Sequence, residues 1–421
     1  MNKRTFLKQM AALSITALPG MEAFARLLHQ GRALPPAALA SEEEFWAEMR
    51  ANFHLQSEYI NLENGYYCLM PKPLLEEYLD QVRKINLEAS YYLRNRMEID
   101  RLVTRQTLAE ATGVDRSELI VTRNTTESLD LVISGIKWQA GDEAIMARQD
   151  YGAMLHQFRL MEERHGIKRK IIDLPHHPQS DAELVALYEQ QITDKTRLIM
   201  VCHLVNITGQ VLPVRQICDM AHRHGVAVMV DGAHSFAHLN FKIPDLGCDY
   251  FGTSLHKWLS APLGSGLLWV KKDKIPGLTP LFAEREMPAN DILRLNHMGT
   301  IPIHAHLAIP RALEWHQAIG SARKLERLRY LKRYWTEALQ DHPNIEIYTP
   351  WEEQRYGAIA NVGIKGYEPA NMAQELLEDY GIWTVAIDME GLKGCRITPH
   401  LYTTTQELDQ LVAALLLMAK A

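Results

Sequence analysis

Asp231 and Lys257 are the residues whose type and setting point most directly to chemistry. Asp231 closes the apolar run Val226-Ala-Val-Met-Val and is followed by the small-residue turn Gly-Ala-His234. Lys257 lies further on, in Gly252-Thr-Ser-Leu-His-Lys-Trp-Leu-Ser-Ala-Pro-Leu-Gly-Ser-Gly266, among hydroxyls, a histidine and small residues. In a parallel α/β sheet, ligands bind beyond the carboxyl ends of the strands, so an acid that ends a buried strand faces a ligand. Alone, either charge reads as an ordinary loop residue; together, with small polar residues around the lysine, they read as a site.

The chemistry such a pair serves is that of pyridoxal phosphate (PLP). That cofactor needs a lysine amine to hold its aldehyde as a Schiff base and a carboxylate opposite its ring nitrogen. The carboxylate keeps the nitrogen protonated, so the ring accepts electrons from a carbanion at the substrate Cα. A lysine released by substrate is then placed to carry the Cα proton. The phosphate needs backbone N–H groups at a helix start together with hydroxyls. Val121-Thr-Arg-Asn-Thr-Thr-Glu-Ser128 supplies both, because it follows one apolar run and opens a helical one.

These residues must be positioned by elements, and the sequence pattern gives them. Strands are expected at Leu119–Thr122, Glu143–Ala147, Lys170–Asp173, Arg197–His203, Val226–Val230 and Gly266–Val270, with helices such as Thr126–Ser134, Ala182–Gln191 and Val214–His224 between most of them. Short, nearly continuous apolar strands separated by helices predict a mostly parallel sheet covered on both faces. Before them, residues 73–112 read as largely helical, ending at Gly113, and Tyr59–Gly65 as a short strand into a turn. From about residue 300, one long charged helix at Ile303–Ala338 leads into shorter strands and helices, which predicts a second, α+β domain.

The ordered set of motifs resembles the class V aminotransferase family of fold-type I PLP enzymes, and within it the isopenicillin N epimerase-like branch. The likeness runs from about Asn61 to the C-terminus. It is carried by Val230-Asp-Gly-Ala-His234, by Leu255-His-Lys-Trp-Leu-Ser-Ala-Pro262, and by the order of the phosphate turn, the asparagine segment, Asp231 and Lys257. The resemblance implies an α/β fold: a large PLP-binding domain at 61–298 with a mostly parallel sheet and a small α+β C-terminal domain at 299–421, after an N-terminal segment at 26–60. It implies that Thr125, Thr126, Ser254 and His256 cradle the phosphate. Tyr151, in Gln149-Asp-Tyr-Gly152, falls where the family stacks an aromatic ring on the pyridine. Asn206, in His203-Leu-Val-Asn-Ile-Thr-Gly209, matches a contact to the ring hydroxyl, and His234 lies near the same edge. Gly299-Thr300 resembles a segment that reaches the neighbouring subunit's phosphate, which implies a homodimer. Arg396, in Cys395-Arg-Ile-Thr-Pro-His-Leu-Tyr-Thr-Thr404, matches the arginine that holds a substrate carboxylate, a task suited to a fork-shaped guanidinium. Asn64 and Gly65 fall where an N-terminal segment lines the substrate site.

The expected activity is therefore at the Cα of an amino acid or small peptide: epimerisation first, transamination or elimination as alternatives, and a PLP- or amino-acid-binding protein without turnover as a reading from another class. A desulfurase would need a nucleophilic cysteine ahead of Arg396, and Trp383-Thr-Val-Ala-Ile-Asp-Met-Glu390 has none. The five cysteines are scattered without a CxxC pair, and His176-His177, His222/His224 and His304/His306 lack the acids that would complete a metal site. A net charge of −6 gives no reason to expect nucleic acid, and there is no GxGxxG or P-loop. Residues 1–25 combine a basic start, an apolar stretch and Ala23-Phe-Ala25. That pattern describes an export signal. Lys3-Arg-Thr-Phe-Leu-Lys8 resembles a twin-arginine signal, with Lys3 where the first arginine would stand, so a periplasmic location is expected, a cytoplasmic one being the alternative. No other apolar run reaches the ~20 residues needed to span a bilayer.

Overall fold

The computed structural model describes Phe24, Leu27, Leu28, Gly31 and residues 34–420 other than 283, 285 and 390. The export-type segment lies outside the described residues except for Phe24, which is buried with its ring stacked 3.7 Å from that of Trp315.

The strands are β1 (Ile60–Asn61), β2 (Leu119–Thr122), β3 (Glu143–Ala147), β4 (Lys168–Ile172), β5 (Thr196–Cys202), β6 (Ala227–Asp231), β7 (Tyr250–Ser254), β8 (Gly266–Val270), β9 (Ile345–Ile347), β10 (Ala360–Ile364), β11 (Ile382–Trp383), β12 (Val385–Met389) and β13 (Leu392–Ile397). Seven form the central sheet in the order β2-β8-β7-β6-β5-β3-β4. Only β8 runs antiparallel to its neighbours there. Strands β2, β3, β7 and β8 are buried along their whole length, as a sheet covered by helices on both faces requires. A four-stranded antiparallel sheet, β12-β13-β10-β9, forms the core of the C-terminal part with the helices Pro369–Glu378 and Thr405–Met418. The expected fold class, α/β with a mostly parallel large sheet and a smaller α+β part, is the observed one.

Three details differ from the sequence reading. Strand β7 had no apolar signature, because Gly252, Thr253 and Ser254 fill it. Yet a Cβ on Gly252 would meet Ser128 and Leu129 at 2.9 and 2.7 Å, so the helix Thr125–Gly135 lies hard against this strand. The long helix expected at Ile303–Ala338 is three: Ile303–Leu307, Ile309–Ile319 and Ser321–Glu337. Pro310 starts the second, where its missing N–H costs nothing, and Gly320, at φ 91°, separates the second from the third. Likewise 73–112 is two helices, Lys72–Asn95 and Met97–Thr112, with a kink at Ala89 (φ 47°) in the first.

The beginning of the chain joins its end. β1 pairs with β11, Glu63 bridges to Thr398, and Arg50 pairs with Glu407 at 2.8 Å. Arg327 donates to the Ala40 carbonyl at 2.9 Å. Residues 60–64 thus pair with C-terminal segments, β1 and β11 forming a two-stranded sheet of their own.

Candidate active site

The site is built on the carboxyl edge of the central sheet. Asp231 ends β6, Ser254 ends β7, Cys202 ends β5, and Thr122 ends β2 just before the helix that Thr125 opens. All the cofactor residues expected from the large domain follow from that one edge. A cavity of about 360 Å³ is lined there by Thr125, Thr126, Tyr151, Asn206, Asp231, His234, Ser254, His256, Lys257 and Arg396, with Gly65, Tyr66 and Arg123 among others. That size is in the usual range for small-molecule sites.

At the phosphate end, Asn124 caps the helix by accepting from the Glu127 N–H at 2.9 Å. The Thr125 N–H donates to Ser254 Oγ at 2.9 Å, and the two hydroxyls are 2.7 Å apart. Strand β8 approaches this turn so closely that a Cβ on Gly266 would lie 2.6 Å from the Asn124 nitrogen; only glycine allows it. The turn therefore brings a helix N-terminus and two hydroxyls together.

Asp231 is 2% exposed, and its Oδ1 accepts from the Ala233 N–H at 2.9 Å. Burial raises its pKa, against the lowering effects of that N–H and of Lys257. A buried carboxylate gains most from a cationic partner such as a protonated ring nitrogen. Lys257 follows Ser254 in a loop pinned by the buried side chains of Leu255, Trp258 and Ala261. Ser260, at φ 61°, accommodates the turn, and its N–H donates to the Lys257 carbonyl at 2.8 Å. Burial pushes the Lys257 amine down to about 8, with Asp231 opposing and Arg396 adding to the fall. Its Nζ is 3.0 Å from His234 Nε2. Tyr151 stands at the helix start Gly152 on the cavity wall, with 47% of its surface exposed.

Arg396, on β13, is held by Glu63: Nη2 donates to Oε1 at 2.5 Å and Nε to Oε2 at 3.2 Å. Its Nη1 donates to the Asn206 carbonyl at 3.1 Å. These bonds use three of the five guanidinium N–H groups. Gly65 permits the approach, since a Cβ there would lie 2.9 Å from the guanidinium carbon. Asn64 is displaced from its expected role. It is fully buried behind the wall, donating to the Thr398 carbonyl at 2.8 Å and accepting from the Tyr402 hydroxyl at 2.6 Å. Gly65, expected beside it, does line the cavity, together with Tyr66. Thr300 lies on an exposed loop and does not line the cavity of its own chain. Arg123 is at the cavity with Nε 3.0 Å from Glu127. Three of the paired histidines have hydrogen-bond partners: His177 the Ile347 carbonyl, His222 Asp249 and His224 Glu189.

Two residues escaped the sequence reading. Glu63 adjoins Asn64 but its partner is 333 positions away. Trp258 is fully buried, and its indole N–H is 3.3 Å from His234 Nδ1.

A lysine amine, a buried acid, a hydroxyl-rich helix start and a tyrosine in one cavity fit PLP, and with the fold they define a fold-type I PLP enzyme. The sequence profile of the class V aminotransferases ("Aminotransferase class-V") matches residues 70–411, and the chain belongs to that family. It is similar to the isopenicillin N epimerases of Streptomyces clavuligerus (26% identical, covering 88% of this chain and 97% of that protein) and Amycolatopsis lactamdurans (27%, covering 89% and 99%). A probable cysteine desulfurase of Halobacterium salinarum is 26% identical over 84% of this chain and 90% of that one. Among solved structures, the apo cysteine desulfurase of Thermococcus onnurineus NA1 superposes with a TM-score of 0.78 at 21% identity, covering 88% of this chain and 97% of that one. A C-DES mutant with glycine covalently linked to the PLP cofactor also reaches 0.78, at 23% identity over 87% and 98%. No helix among the described residues is long and apolar enough to cross a membrane.

Proposed function

We propose that the protein acts at the Cα of an amino acid or small peptide, with Lys257 moving the Cα proton, and that the outcome is epimerisation. The observation that carries this reading is the Lys257 amine in one cavity with Arg396, whose bonds to Glu63 and Asn206 leave one N–H on each terminal nitrogen. That pair of donors suits a substrate carboxylate. Bound against Asp231 and the Thr125–Ser254 cradle, PLP supplies the electron sink for negative charge at the substrate Cα. The Lys257 amine, held at about 8, is present in both charge states near neutral pH, as a group that takes and returns a proton must be.

Thiol chemistry is disfavoured. All five cysteines are buried. Burial raises each thiol pKa, that of Cys395 to about 12. The segment 383–389 ahead of Arg396 is strand and carries no cysteine. The likeness to isopenicillin N epimerases over nearly their full length supports inversion over transamination or elimination.

The test incubates the enzyme with L- and D-amino acids and short peptides in D₂O. NMR reads deuterium at Cα and chiral chromatography reads inversion. Exchange with inversion is expected, and it disappears in Lys257→Ala. Keto-acid formation without inversion assigns an aminotransferase; absence of exchange and of any product assigns a binder. A homodimer, with each Thr300 serving the neighbouring copy, and export belong to the same proposal. Sedimentation and the N-terminus of protein from cell fractions check them. A monomer, or uncleaved protein confined to the cytosol, contradicts them.

A further inference from the structure

The Trp258 indole N–H points at His234 Nδ1 from 3.3 Å, and His234 Nε2 is 3.0 Å from Lys257 Nζ. An indole nitrogen can only donate. His234 Nδ1 must therefore accept, and a neutral ring then carries its proton on Nε2. That N–H is directed at Lys257 Nζ, and an ammonium has no lone pair to receive it. Only an uncharged amine completes the row.

We infer that Trp258 is a positioning residue: by fixing His234 as the Nε2–H tautomer, it turns an N–H donor toward the Lys257 amine and so favours the uncharged form, whose lone pair attacks an aldehyde.

The indole is itself held. His238 lies against it at 3.8 Å between ring centroids, and His400 stacks on it at 5.5 Å. His238 cannot swing away, because Nε2 accepts from the Ala358 N–H at 2.8 Å and Nδ1 is 3.0 Å from the His234 carbonyl. Trp258 and His238 are both fully or almost fully buried. The other groups whose charge reaches Lys257 are Asp231 on β6, Arg396 on β13, Cys202 on β5 and Cys68 ahead of the helix Lys72–Asn95; His256 on the lysine's own loop also feels it. Asp231 favours the ammonium and Arg396 disfavours it. Burial, then Lys257, keeps His234 neutral well below the usual range, in agreement with the hydrogen-bond geometry.

The inference concerns the charge of the cofactor-free amine. It uses the reading of Lys257 as cofactor lysine only for its purpose, and each can fail without the other. The full-length protein is stripped of cofactor with hydroxylamine and labelled with acetic anhydride across a pH series, and mass spectrometry follows the Lys257 peptide, with surface Lys195 as control. In the wild type the Lys257 midpoint is expected near 8. Trp258→Phe keeps a ring but frees Nδ1, so His234 can turn Nε2 into an acceptor for an ammonium. The midpoint is then expected to rise by about one pH unit, a tenfold change in the charged-to-neutral ratio. An unchanged midpoint in a variant with native circular dichroism overturns the inference. Should Trp258→Phe not fold, ¹⁵N NMR of the wild-type chain, assigned by difference with His234→Gln, decides. A protonated Nε2 with a bare Nδ1 supports the inference, and a proton on Nδ1 overturns it.

Discussion

The cofactor wall of the cavity and its substrate wall are assembled in different ways. The first comes from residues 122–266 at one sheet edge, where strand ends place Asp231, Ser254 and the Thr125 turn within a rigid, buried frame. The second joins Glu63–Tyr66 to Arg396, segments more than 300 positions apart that meet because β1 lies beside β11 and Glu63 bridges to Thr398. A sheet edge holds the cofactor in the same way whatever the reaction. The motifs that carry the family likeness lie on the first wall, and the proposed carboxylate contact lies on the second.

Variants of the two walls should separate. Lys257→Ala belongs to the first and has the largest effect: Cα exchange measured by NMR should fall by at least about 10³-fold, within the range for loss of a general acid–base group. Asp231→Asn removes the charge facing the ring nitrogen. It should lower kcat by about 10²-fold with little change in KM, the behaviour of electrostatic stabilisation that strengthens as charge develops. Arg396→Gln acts on the second wall. It should raise KM by roughly ten- to a hundredfold, the loss of a charge-assisted carboxylate contact, and leave cofactor affinity by equilibrium dialysis unchanged. Glu63→Ala frees the guanidinium without removing it, so kcat/KM should fall by about tenfold, again with cofactor affinity unchanged. A Glu63→Ala protein that loses cofactor would show the two walls to be one unit.

The first wall also has a pH signature. Attack on an aldehyde needs the neutral amine, and the Lys257 pKa is lowered to about 8. Cofactor capture by stripped protein, followed by visible absorbance, should rise through pH 8 and flatten above it. An ordinary lysine would continue to gain up to about 10.4.

The unequal construction also explains what the sequence disclosed. Asp231 was legible because an apolar strand ends on it, and Thr125–Thr126 because a strand and a helix meet there. Lys257 was legible from its small polar neighbours. Strand β7 was not, since Gly252 is demanded by the helix against it and not by strand propensity. Of the expected pair Asn64 and Gly65, only Gly65 lines the cavity, because the turn, and not the side-chain type, decides which residue faces it. Glu63 and the Trp258–His234 contact have no local signal, for each depends on a partner supplied by the tertiary fold.

The protein itself contains the sharpest control for its central claim. Lys324 is buried, and burial pushes its amine down to about 8 as it does that of Lys257, but its Nζ donates to the Trp258 carbonyl and it does not line the cavity. Borohydride reduction of the holoenzyme, followed by peptide mass spectrometry, distinguishes the two. The account predicts a pyridoxyl group on Lys257 alone; the same group on Lys324, or on any other lysine, would contradict it.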